Sequence, residues 1–334
     1  MNHIGLTYDL RDDYMDMGFS DEALSEFDSI ETIEAIERAL WRHGYTTERI
    51  GHIRNLAKKL VDGQRWSMVF NIAEGLSGRS REAQIPCLLE AYDIPYVFSD
   101  PLTQAVTLDK SIAKRLVRDS GIPTPRFQVI NTIDDVMNCD LAYPLFVKPI
   151  REGTGKGCSN ASKIMDRDQF IRVSTSLIVK FDQPVIAEEY LPGREFTIGI
   201  IGNGSDARVI GVMEIILGKN AEENAYSYEN KAHYLDRVSY TLANDDEALQ
   251  AGSNALAAYH SLGCLDACRL DFRSDAHGVP NFIEANTLAG LNPVHSDLPI
   301  LSAKAGMPYE TLIHEIIKAA HTRHGVTGHV HGMF

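Results

Sequence analysis

The chain has 334 residues, of which 44% are hydrophobic and 23% charged, a composition typical of folded globular proteins and not of disordered ones. Its 46 acidic and 32 basic residues give a net charge of −14 at pH 7, so nucleic-acid binding through bulk charge is not expected. We expect a cytoplasmic protein, because there is no signal-peptide pattern and no apolar run of ~20 residues that could cross a membrane. The five cysteines are scattered and odd in number, which argues against a disulfide framework.

The first third of the chain alternates predicted strands with predicted helices. We expect strands over residues 4–8, 68–72 and 94–98, and a helix over residues 87–91. Another helix is predicted between Asp28 and Gly44, because Asp28 and Glu31 form a capping-box pattern ahead of an apolar helical repeat. Strands separated by helices indicate a parallel sheet, which binds ligands at the carboxyl ends of its strands. We therefore predict a Rossmann-like N-terminal domain over residues 1–118.

Beyond residue 118 the pattern changes to strands joined by hairpins and loops. We expect strands over residues 145–148, 185–190, 196–201 and 209–216, and helices over residues 166–179 and 245–262. This pattern predicts a mixed α+β body with antiparallel sheets, divided into a central domain at 119–205 and a C-terminal domain at 206–334. The last helices are expected over about 300–320. The histidines of the following polar tail, His321, His324, His329 and His331, are expected to belong to a frayed terminus.

A lysine followed by a glycine-rich loop is the first candidate for phosphate chemistry. Residues 148–157 read Lys-Pro-Ile-Arg-Glu-Gly-Thr-Gly-Lys-Gly directly after an apolar strand. The backbone N–H groups of such a loop can approach phosphate oxygens while the Lys148 ammonium supplies positive charge. The segment does not match the Walker pattern, and a plain surface turn is the alternative interpretation.

Two carboxylates and an amide on two later strands are candidate metal ligands. Glu284 and Asn286 alternate along one predicted strand, so their side chains project from the same face, and Asp271 lies near the end of a neighbouring strand. Hard oxygen ligands of this kind suit one or two Mg²⁺ ions that also bind nucleotide phosphates. The alternative is that Glu284 and Asn286 are solvent-facing residues of a half-exposed strand. The lysine loop favours the metal site.

From about residue 110 to 317 the chain resembles the ATP-grasp superfamily and, within it, the D-alanine–D-alanine ligases. Four motifs, at residues 147–157, 186–197, 262–271 and 283–290, occur in the family's order and approximate spacing. The resemblance implies an α/β (α+β) ATP-grasp fold with ATP between the central and C-terminal domains. It also implies ATP as the cofactor, with one or two Mg²⁺ ions or Mn²⁺ in their place.

The resemblance also implies roles for individual residues. Lys110 and Lys148 match the residues that bind the ATP phosphates. Thr154 matches the residue that supplies a hydroxyl in the glycine-rich loop. The residues that match the adenine and ribose site are Glu188, Glu189, Leu191 and Glu195. The residues that match the Mg²⁺ ligands are Asp271, Glu284 and Asn286. The residues that match catalytic groups are Arg269 and Gly290, and Lys231 in a loop over residues 218–234 that closes on the nucleotide.

The implied reaction is carboxylate–amine ligation. The terminal phosphoryl group of ATP passes to a substrate carboxylate, and an amine then attacks the resulting acyl phosphate. Phosphoryl transfer of this type depends on positioning and charge rather than on covalent protein chemistry. Arg269 and the backbone N–H of Gly290 are expected to stabilise the oxyanion of the second step.

The chain departs from the D-alanine–D-alanine ligases in the substrate region. The family's Gly-Gly-x-Ser-x-Glu loop is replaced by an acidic insert, and the residue after Lys231 is Ala232 instead of tyrosine. Arg79 and Arg81 occupy a loop at the carboxyl end of a strand, which predicts a substrate larger than alanine with an extra acidic group. Asp297 is expected to bind the amine. The candidate substrate residues are Glu74, Arg79, Arg81, His295, Ser296 and Asp297.

We therefore expect an ATP-grasp ligase that joins an amino acid's carboxylate to an amine, with substrates other than two D-alanines. A divergent D-alanine–D-alanine ligase of peptidoglycan synthesis and an ATP-binding regulatory protein without turnover are the alternatives. Retention of Arg269 argues against the regulatory protein, which does not need an oxyanion group. We expect small-molecule substrates, no nucleic-acid or membrane partner, and a homodimer.

Overall fold

The computed structural model describes residues 2–15, 24, 26–218 and 237–325, which form three β-sheets with helices packed against them. The combination of one parallel and two antiparallel sheets agrees with the predicted α/β (α+β) architecture. None of the helices in these ranges is long and apolar enough to cross a membrane. The cysteines are free thiols, and Cys264 and Cys268 are buried in the core.

The first sheet is parallel and has the strand order β2-β1-β3. Its elements are β1 (His3–Thr7), α1 (Arg11–Met15), α2 (Ile30–Arg42), β2 (Thr46–Arg49), α3 (Ile53–Val61), β3 (Met68–Asn71) and α4 (Gln84–Ala91). Phe70 of β3 packs in one apolar cluster with Ile36 of α2, whereas Val69 packs in another with Leu56 of α3. Helices therefore cover both faces, as expected for a parallel sheet.

Three details of this region differ from the prediction. The segment 94–98 is not a full strand, because only Tyr96 pairs with Val69, in an isolated parallel bridge. The third strand of the sheet is instead β2, which pairs with β1. The sequence of β2, Thr-Thr-Glu-Arg, is polar because the strand lies at the partly exposed edge of the sheet, so apolar patterns do not reveal it. The N-cap of α2 is Ser29 and not Asp28.

The second sheet is antiparallel and has the strand order β4-β7-β5-β6. Its strands follow α5 (Pro101–Leu108) and α6 (Lys110–Asp119), and its elements are β4 (Phe127–Ile130), α7 (Ile133–Met137), β5 (Leu145–Pro149), β6 (Lys163–Ile164), α8 (Arg167–Phe181) and β7 (Val185–Glu189). Val147 of β5 packs against Phe170 of α8. Because side chains alternate along a strand, Phe146 and Lys148 face the opposite side, where they line a cleft.

The third sheet is antiparallel and has the strand order β10-β9-β8-β11-β12. Its elements are β8 (Glu195–Ile201), β9 (Arg208–Leu217), β10 (Val238–Leu242), α9 (Asp246–Ser261), β11 (Ala267–Ser274) and β12 (Pro280–Asn286). Buried alanines of α9, among them Ala251 and Ala255, let this helix pack closely on one face of the sheet. The domain boundaries at 118 and 205 stay a prediction; β8, which precedes the second boundary, belongs to this sheet.

Two final helices, α10 (Asp297–Lys304) and α11 (Tyr309–Arg323), return the chain to the first sheet. Ile313 and Ile316 of α11 are fully buried in the same cluster as Ile36 of α2. The core of the first sheet is therefore completed by the last helix.

The prediction of a frayed tail from His321 onwards is wrong for the described part of that segment. His321 lies inside α11, is 8% exposed, and stacks on Tyr45 with ring centroids 5.7 Å apart. His324 caps the end of α11, and its Nε2 lies 3.1 Å from the carbonyl oxygen of Tyr96. His329 and His331 lie outside the described residues.

Asp266 joins parts of the chain that are distant in sequence. Its side chain is fully buried and accepts hydrogen bonds from the backbone N–H of Phe98 at 2.8 Å and from the Asn203 amide at 2.9 Å. Arg323 of α11 forms a 2.8 Å ion pair with the same carboxylate. The guanidinium also donates to the backbone carbonyls of Tyr96 and Phe98. One buried charge pair therefore connects α11 to the first and third sheets.

We predict that Asp266→Asn lowers the free energy of unfolding by about 3 kcal/mol, because it leaves the largely buried Arg323 without its counter-charge. Asparagine tolerates the left-handed backbone at this position (φ 64°), so new backbone strain does not contribute. Urea unfolding followed by circular dichroism measures the change. The control Arg208→Gln removes an exposed ion pair with Glu315 of α11 and should change stability by about 0.5 kcal/mol or less. Equal losses of unfolding free energy in both variants would contradict the proposed importance of the Asp266–Arg323 ion pair.

Candidate active site

The loop after β5 is shaped by left-handed residues and by a close contact. Thr154 and Gly155 have φ values of 53° and 71°, which turn the backbone back on itself. Gly157 also has φ 71°, and a Cβ there would lie 2.6 Å from the Pro149 ring and 2.9 Å from the Phe181 ring. Packing of the loop onto β5 and α8 therefore requires glycine at position 157.

Glu26, from the acidic insert before α2, binds this loop. Its carboxylate accepts the backbone N–H of Gly153 at 2.5 Å and contacts the Lys156 ammonium at 2.8 Å and the Arg81 guanidinium at 3.2 Å. Burial raises the pKa of Glu26, but Lys156 and Arg81 outweigh burial and hold the pKa below its usual range. Glu26 was not predicted as a site residue, because the insert matches no motif.

Lys110 and Lys148 each contact a carboxylate. Lys110 begins α6 and its Nζ lies 3.4 Å from Glu284 Oε2, while Nζ of Lys148 on β5 lies 3.3 Å from Glu188 Oε2. Both lysines are 6% exposed, so their charges are held in a largely dehydrated environment. Burial lowers the pKa of Lys148, but Glu188 and Glu284 raise it to about 12. Lys148 is therefore a cation at neutral pH, as an anionic ligand requires.

A third lysine, Lys114, is a site residue that the sequence analysis missed. It lies four residues after Lys110 in α6, is fully buried, and has its Nζ 2.9 Å from Glu188 Oε1. It also donates a hydrogen bond to the backbone carbonyl of Phe282 at 2.9 Å. Burial lowers its pKa to about 8. The available signal was its i, i+4 spacing from Lys110, which places both side chains on one face of a predicted helix.

The residues predicted to bind a nucleotide line a cleft that we call the first cavity. Its lining from the second sheet includes Phe146, Lys148, Glu188 and Glu189, and Leu191 lines it from the segment after β7. Its lining from the third sheet includes Glu195, Asp271 and Glu284. The open space, with its solvent-filled mouth, is about 820 Å³. The predicted adenine, ribose and phosphate residues are thus brought together in one cleft.

Tyr190, which also lines the first cavity, lies between two cations. Lys163 Nζ lies 4.2 Å from the centre of its ring, and the Arg273 guanidinium lies 5.4 Å from it. Arg273 also contacts Glu195 Oε2 at 3.4 Å. The hinge after β7 is therefore attached to β8 and β11 through a cation–π contact and an ion pair.

The predicted metal ligands are neighbours on β11 and β12, as the alternation pattern indicated. Asp271 lies opposite Glu284, and Arg269 lies opposite Asn286. Asp271 accepts hydrogen bonds from Thr197 at 2.8 Å and from Asn286 at 3.2 Å. In the described ranges, no group of three or more His, Cys, Asp and Glu side chains is placed to bind a metal. Two carboxylates and one amide fit Mg²⁺ that takes its other ligands from phosphate and water.

Arg269 is held beside these groups. It is 8% exposed, and its guanidinium lies 3.1 Å from Asp271 Oδ2 and 3.6 Å from Asp297 Oδ2. Burial lowers its pKa, but the two carboxylates outweigh burial and raise it. Its Nε has no hydrogen-bond partner in the described part of the chain. At Gly290, a Cβ would lie 2.8 Å from Ser296 Oγ, so a side chain there would displace Ser296.

A second cavity adjoins the first and contains four of the six predicted substrate residues. Its lining includes Glu74, Glu82, Thr154, Arg269, Gly290, His295, Ser296 and Asp297. Lys110, Glu152 and Glu284 line both cavities, so the two spaces meet at the Lys110–Glu284 ion pair. The open space of the second cavity, with its mouth, is about 1710 Å³. Thr154, expected with the nucleotide, lines this second space.

Arg79 and Arg81 follow β3, as predicted, but both contact groups of the protein. Arg79 contacts Asp109 at 3.1 Å, and its side chain is 66% exposed. Arg81 is 9% exposed and binds Glu26 and the backbone carbonyl of Arg151. Neither arginine is among the described residues that line the second cavity. Their contacts are made within the protein, so this arrangement does not present a guanidinium fork to a substrate carboxylate.

Glu74 and Glu82 give the second cavity an acidic wall. The two side chains are hydrogen bonded to each other, and the charge of Arg81 acts on both. Burial and the charge of Glu82 raise the pKa of Glu74 well above its usual range. Burial raises the pKa of Glu82 to about 7 although Arg81 opposes the shift. Nearby, burial and Asp9 raise the pKa of Asp28 to about 8.

The structure describes two of the three predicted catalytic residues. Arg269 and Gly290 line the second cavity. Lys231 and Ala232, with residues 219–234 of the predicted closing loop, lie outside the described residues. The roles of all three catalytic residues stay predictions.

Comparison with known protein sequences identifies relatives of the chain. The family model of the D-ala D-ala ligase C-terminus matches residues 116–318. A D-alanine–D-alanine ligase of Cupriavidus taiwanensis is 34% identical over 251 residues, which cover 73% of this chain and 74% of the relative. The uncharacterized protein y4sG of Sinorhizobium fredii is 32% identical over 260 residues, which cover 77% of this chain and 75% of the relative.

Solved structures share the fold over almost the whole chain. The D-alanine–D-alanine ligase of Bacillus anthracis complexed with ATP has a TM-score of 0.73 at 22% identity, covering 98% of this chain and 100% of its own. The VanG D-Ala:D-Ser ligase of Enterococcus faecalis has a TM-score of 0.73 at 20% identity, covering 96% and 99%. The family-model match and the sequence relatives show that the chain belongs to the D-alanine–D-alanine ligase family of ATP-grasp enzymes, ATP-dependent ligases that form a carbon–nitrogen bond.

Proposed function

We propose that this ligase joins the carboxylate of one amino-acid-type substrate to the amine of another, and that the pair is not two D-alanines. The observation that carries the proposal is the meeting of the two cavities at Lys110 and Glu284. A nucleotide in the first cavity and a carboxylate in the second approach each other at this point. Phosphoryl transfer between two bound groups depends on such proximity.

The proposed reaction has two steps. The terminal phosphoryl group of ATP passes to a carboxylate oxygen, which gives an acyl phosphate and leaves ADP. The amine then attacks the acyl carbon, the amide bond forms, and inorganic phosphate and a proton leave. Lys110 and Lys148 supply the cations for the phosphates. Arg269 and the backbone N–H of Gly290 donate to the oxyanion of the second step, where prearranged donors have their largest effect.

A divalent cation fits the first step. Asp271, Glu284 and Asn286 would hold Mg²⁺, because they are hard oxygen ligands at the border of the two cavities. The ion supplies positive charge that offsets the charge of the triphosphate. Thr197 orients Asp271 through its hydrogen bond, and Lys110 pairs with Glu284.

The charges of the second cavity favour a substrate with an additional ammonium group over one with an additional carboxylate. Glu74 and Glu82 line this space with pKa values that stay raised although the Arg81 charge opposes the shift, whereas the guanidinium groups of Arg79 and Arg81 contact Asp109 and Glu26. An ammonium favours the ionised form of neighbouring carboxyls whose pKa desolvation raises. We therefore propose a diamino acid as one substrate, in place of the acidic substrate that the sequence suggested.

Glu284→Gln should lower the rate of ADP formation by about a hundredfold or more, because loss of a carboxylate weakens the metal site without disturbing the core. A coupled ADP assay with Mg²⁺ and a panel of amino acids measures the rate, and thermal melting checks that the fold is kept. Glu34→Gln, an exposed change on α2, is the control and should leave the rate unchanged. Wild-type turnover of Glu284→Gln would remove the metal assignment.

The wild-type enzyme should have a higher kcat/KM for diamino acids than for D-alanine or aspartate. The KM of the diamino acid should fall as pH rises from 6 to 8, since Glu82, whose pKa burial raises to about 7, must lose its proton to bind an ammonium. Glu82→Gln should raise this KM and remove its pH dependence, with the KM of ATP unchanged.

Two results would contradict the proposal that a diamino acid is a substrate. One is D-alanine as the best substrate, and the other is a Glu82→Gln variant that handles the diamino acid like the Glu34→Gln control. D-Alanine as both substrates would instead favour a divergent D-alanine–D-alanine ligase.

A further inference from the structure

Glu188 is buried between two lysines that approach it from different elements. Lys114 Nζ lies 2.9 Å from one carboxylate oxygen, and Lys148 Nζ lies 3.3 Å from the other. Lys114 is 0% exposed, Lys148 6% and Glu188 3%. The cluster therefore holds two cations against one carboxylate in an environment from which water is largely excluded.

The two lysines differ in their freedom to move. Lys148 lines the first cavity, whereas Lys114 is not among the described residues that do. The ammonium of Lys114 has further acceptors in the Phe282 carbonyl at 2.9 Å and the Thr124 hydroxyl at 3.3 Å. Lys148 can turn towards a ligand in the cavity, but Lys114 is fixed behind the carboxylate.

We propose that Lys114 is a positioning residue that acts as the permanent counter-ion of Glu188 and so releases Lys148 for the nucleotide phosphates. The proposal rests on ATP binding in the first cavity. When Lys148 turns to a phosphate, Glu188 keeps Lys114, and the remaining Lys114–Glu188 pair is neutral. Without Lys114, the same movement would leave a buried carboxylate unpaired, which is strongly unfavourable. Lys148 would then stay on Glu188 and bind phosphate weakly.

The charges around the cluster agree with this assignment. Burial raises the pKa of Glu188, but Lys114 and Lys148 outweigh burial and hold it below its usual range. The surrounding charged groups are Lys148 on β5, Glu188 on β7 and Glu284 on β12. Burial lowers the pKa of Lys114 to about 8, which Glu188 opposes, so Lys114 is mostly a cation at neutral pH.

The test measures the affinities of ATP, adenosine and inorganic tripolyphosphate by calorimetry for wild type, Lys114→Met, Glu188→Gln and the double variant. Lys114→Met should weaken ATP and tripolyphosphate by about tenfold or more while leaving adenosine unchanged, since only the phosphates need Lys148. Adding Glu188→Gln should restore tripolyphosphate binding, because no carboxylate then retains Lys148. The matched control Lys58→Met, on the exposed side of α3, should change none of the three affinities.

A merely structural role of Lys114 predicts a different pattern. Lys114→Met would then weaken adenosine and tripolyphosphate together, and Glu188→Gln would not rescue either. Wild-type tripolyphosphate affinity in Lys114→Met, or absence of rescue, overturns the proposal. Should Lys114→Met not fold, the double variant is compared with Glu188→Gln alone. Equal tripolyphosphate affinity supports the counter-ion role, and weaker affinity in the double variant overturns it. Failure of the wild type to bind ATP would instead count against the proposed function.

Discussion

The nucleotide cavity depends on burying positive charge before a negatively charged ligand arrives. A lysine taken out of water is stable only when a carboxylate or carbonyl takes over its hydration, and each buried lysine here has such a partner. The partners come from separate elements: Lys148 from β5, Glu188 from β7, Lys114 from α6 and a backbone carbonyl from β12. The relative position of the second and third sheets therefore follows from the same contacts that prepare the site.

The two cavities share a border but differ in how their charged groups are paired. Lys110 and Lys148 give the first cavity local positive charge in a chain whose net charge is −14. The second cavity has two carboxyls, Glu74 and Glu82, whose pKa values burial raises, and its Arg269 is neutralised by Asp271 and Asp297. The net charge of the chain therefore does not predict the local charge in either cavity. The charge that decides ligand chemistry is set by pairings between elements that are distant in sequence.

The parts of the site that the sequence predicted are those encoded in short segments. The alternation of Glu284 and Asn286 and the glycines after Lys148 depend on local geometry, so both could be located without a structure. Glu26 could not, because its role exists only once the insert has folded against a loop more than a hundred residues away. The contacts of Arg79 and Arg81 could not be predicted for the same reason, since their partners Asp109 and Glu26 are set by tertiary structure.

The fold shows the same division between local pattern and tertiary context. Six apolar strands, β1, β3, β5, β7, β8 and β9, were predicted at nearly the observed positions. The polar edge strand β2 was missed, and the apolar segment 94–98 was assigned too much pairing. The packing of α11 on α2 has consequences for the order of events during synthesis. The apolar residues of α2 and β3 leave the ribosome long before the helix that covers them exists. The N-terminal third of a nascent chain must therefore wait with an incomplete core, exposed to aggregation or to a chaperone, until translation reaches the last helix.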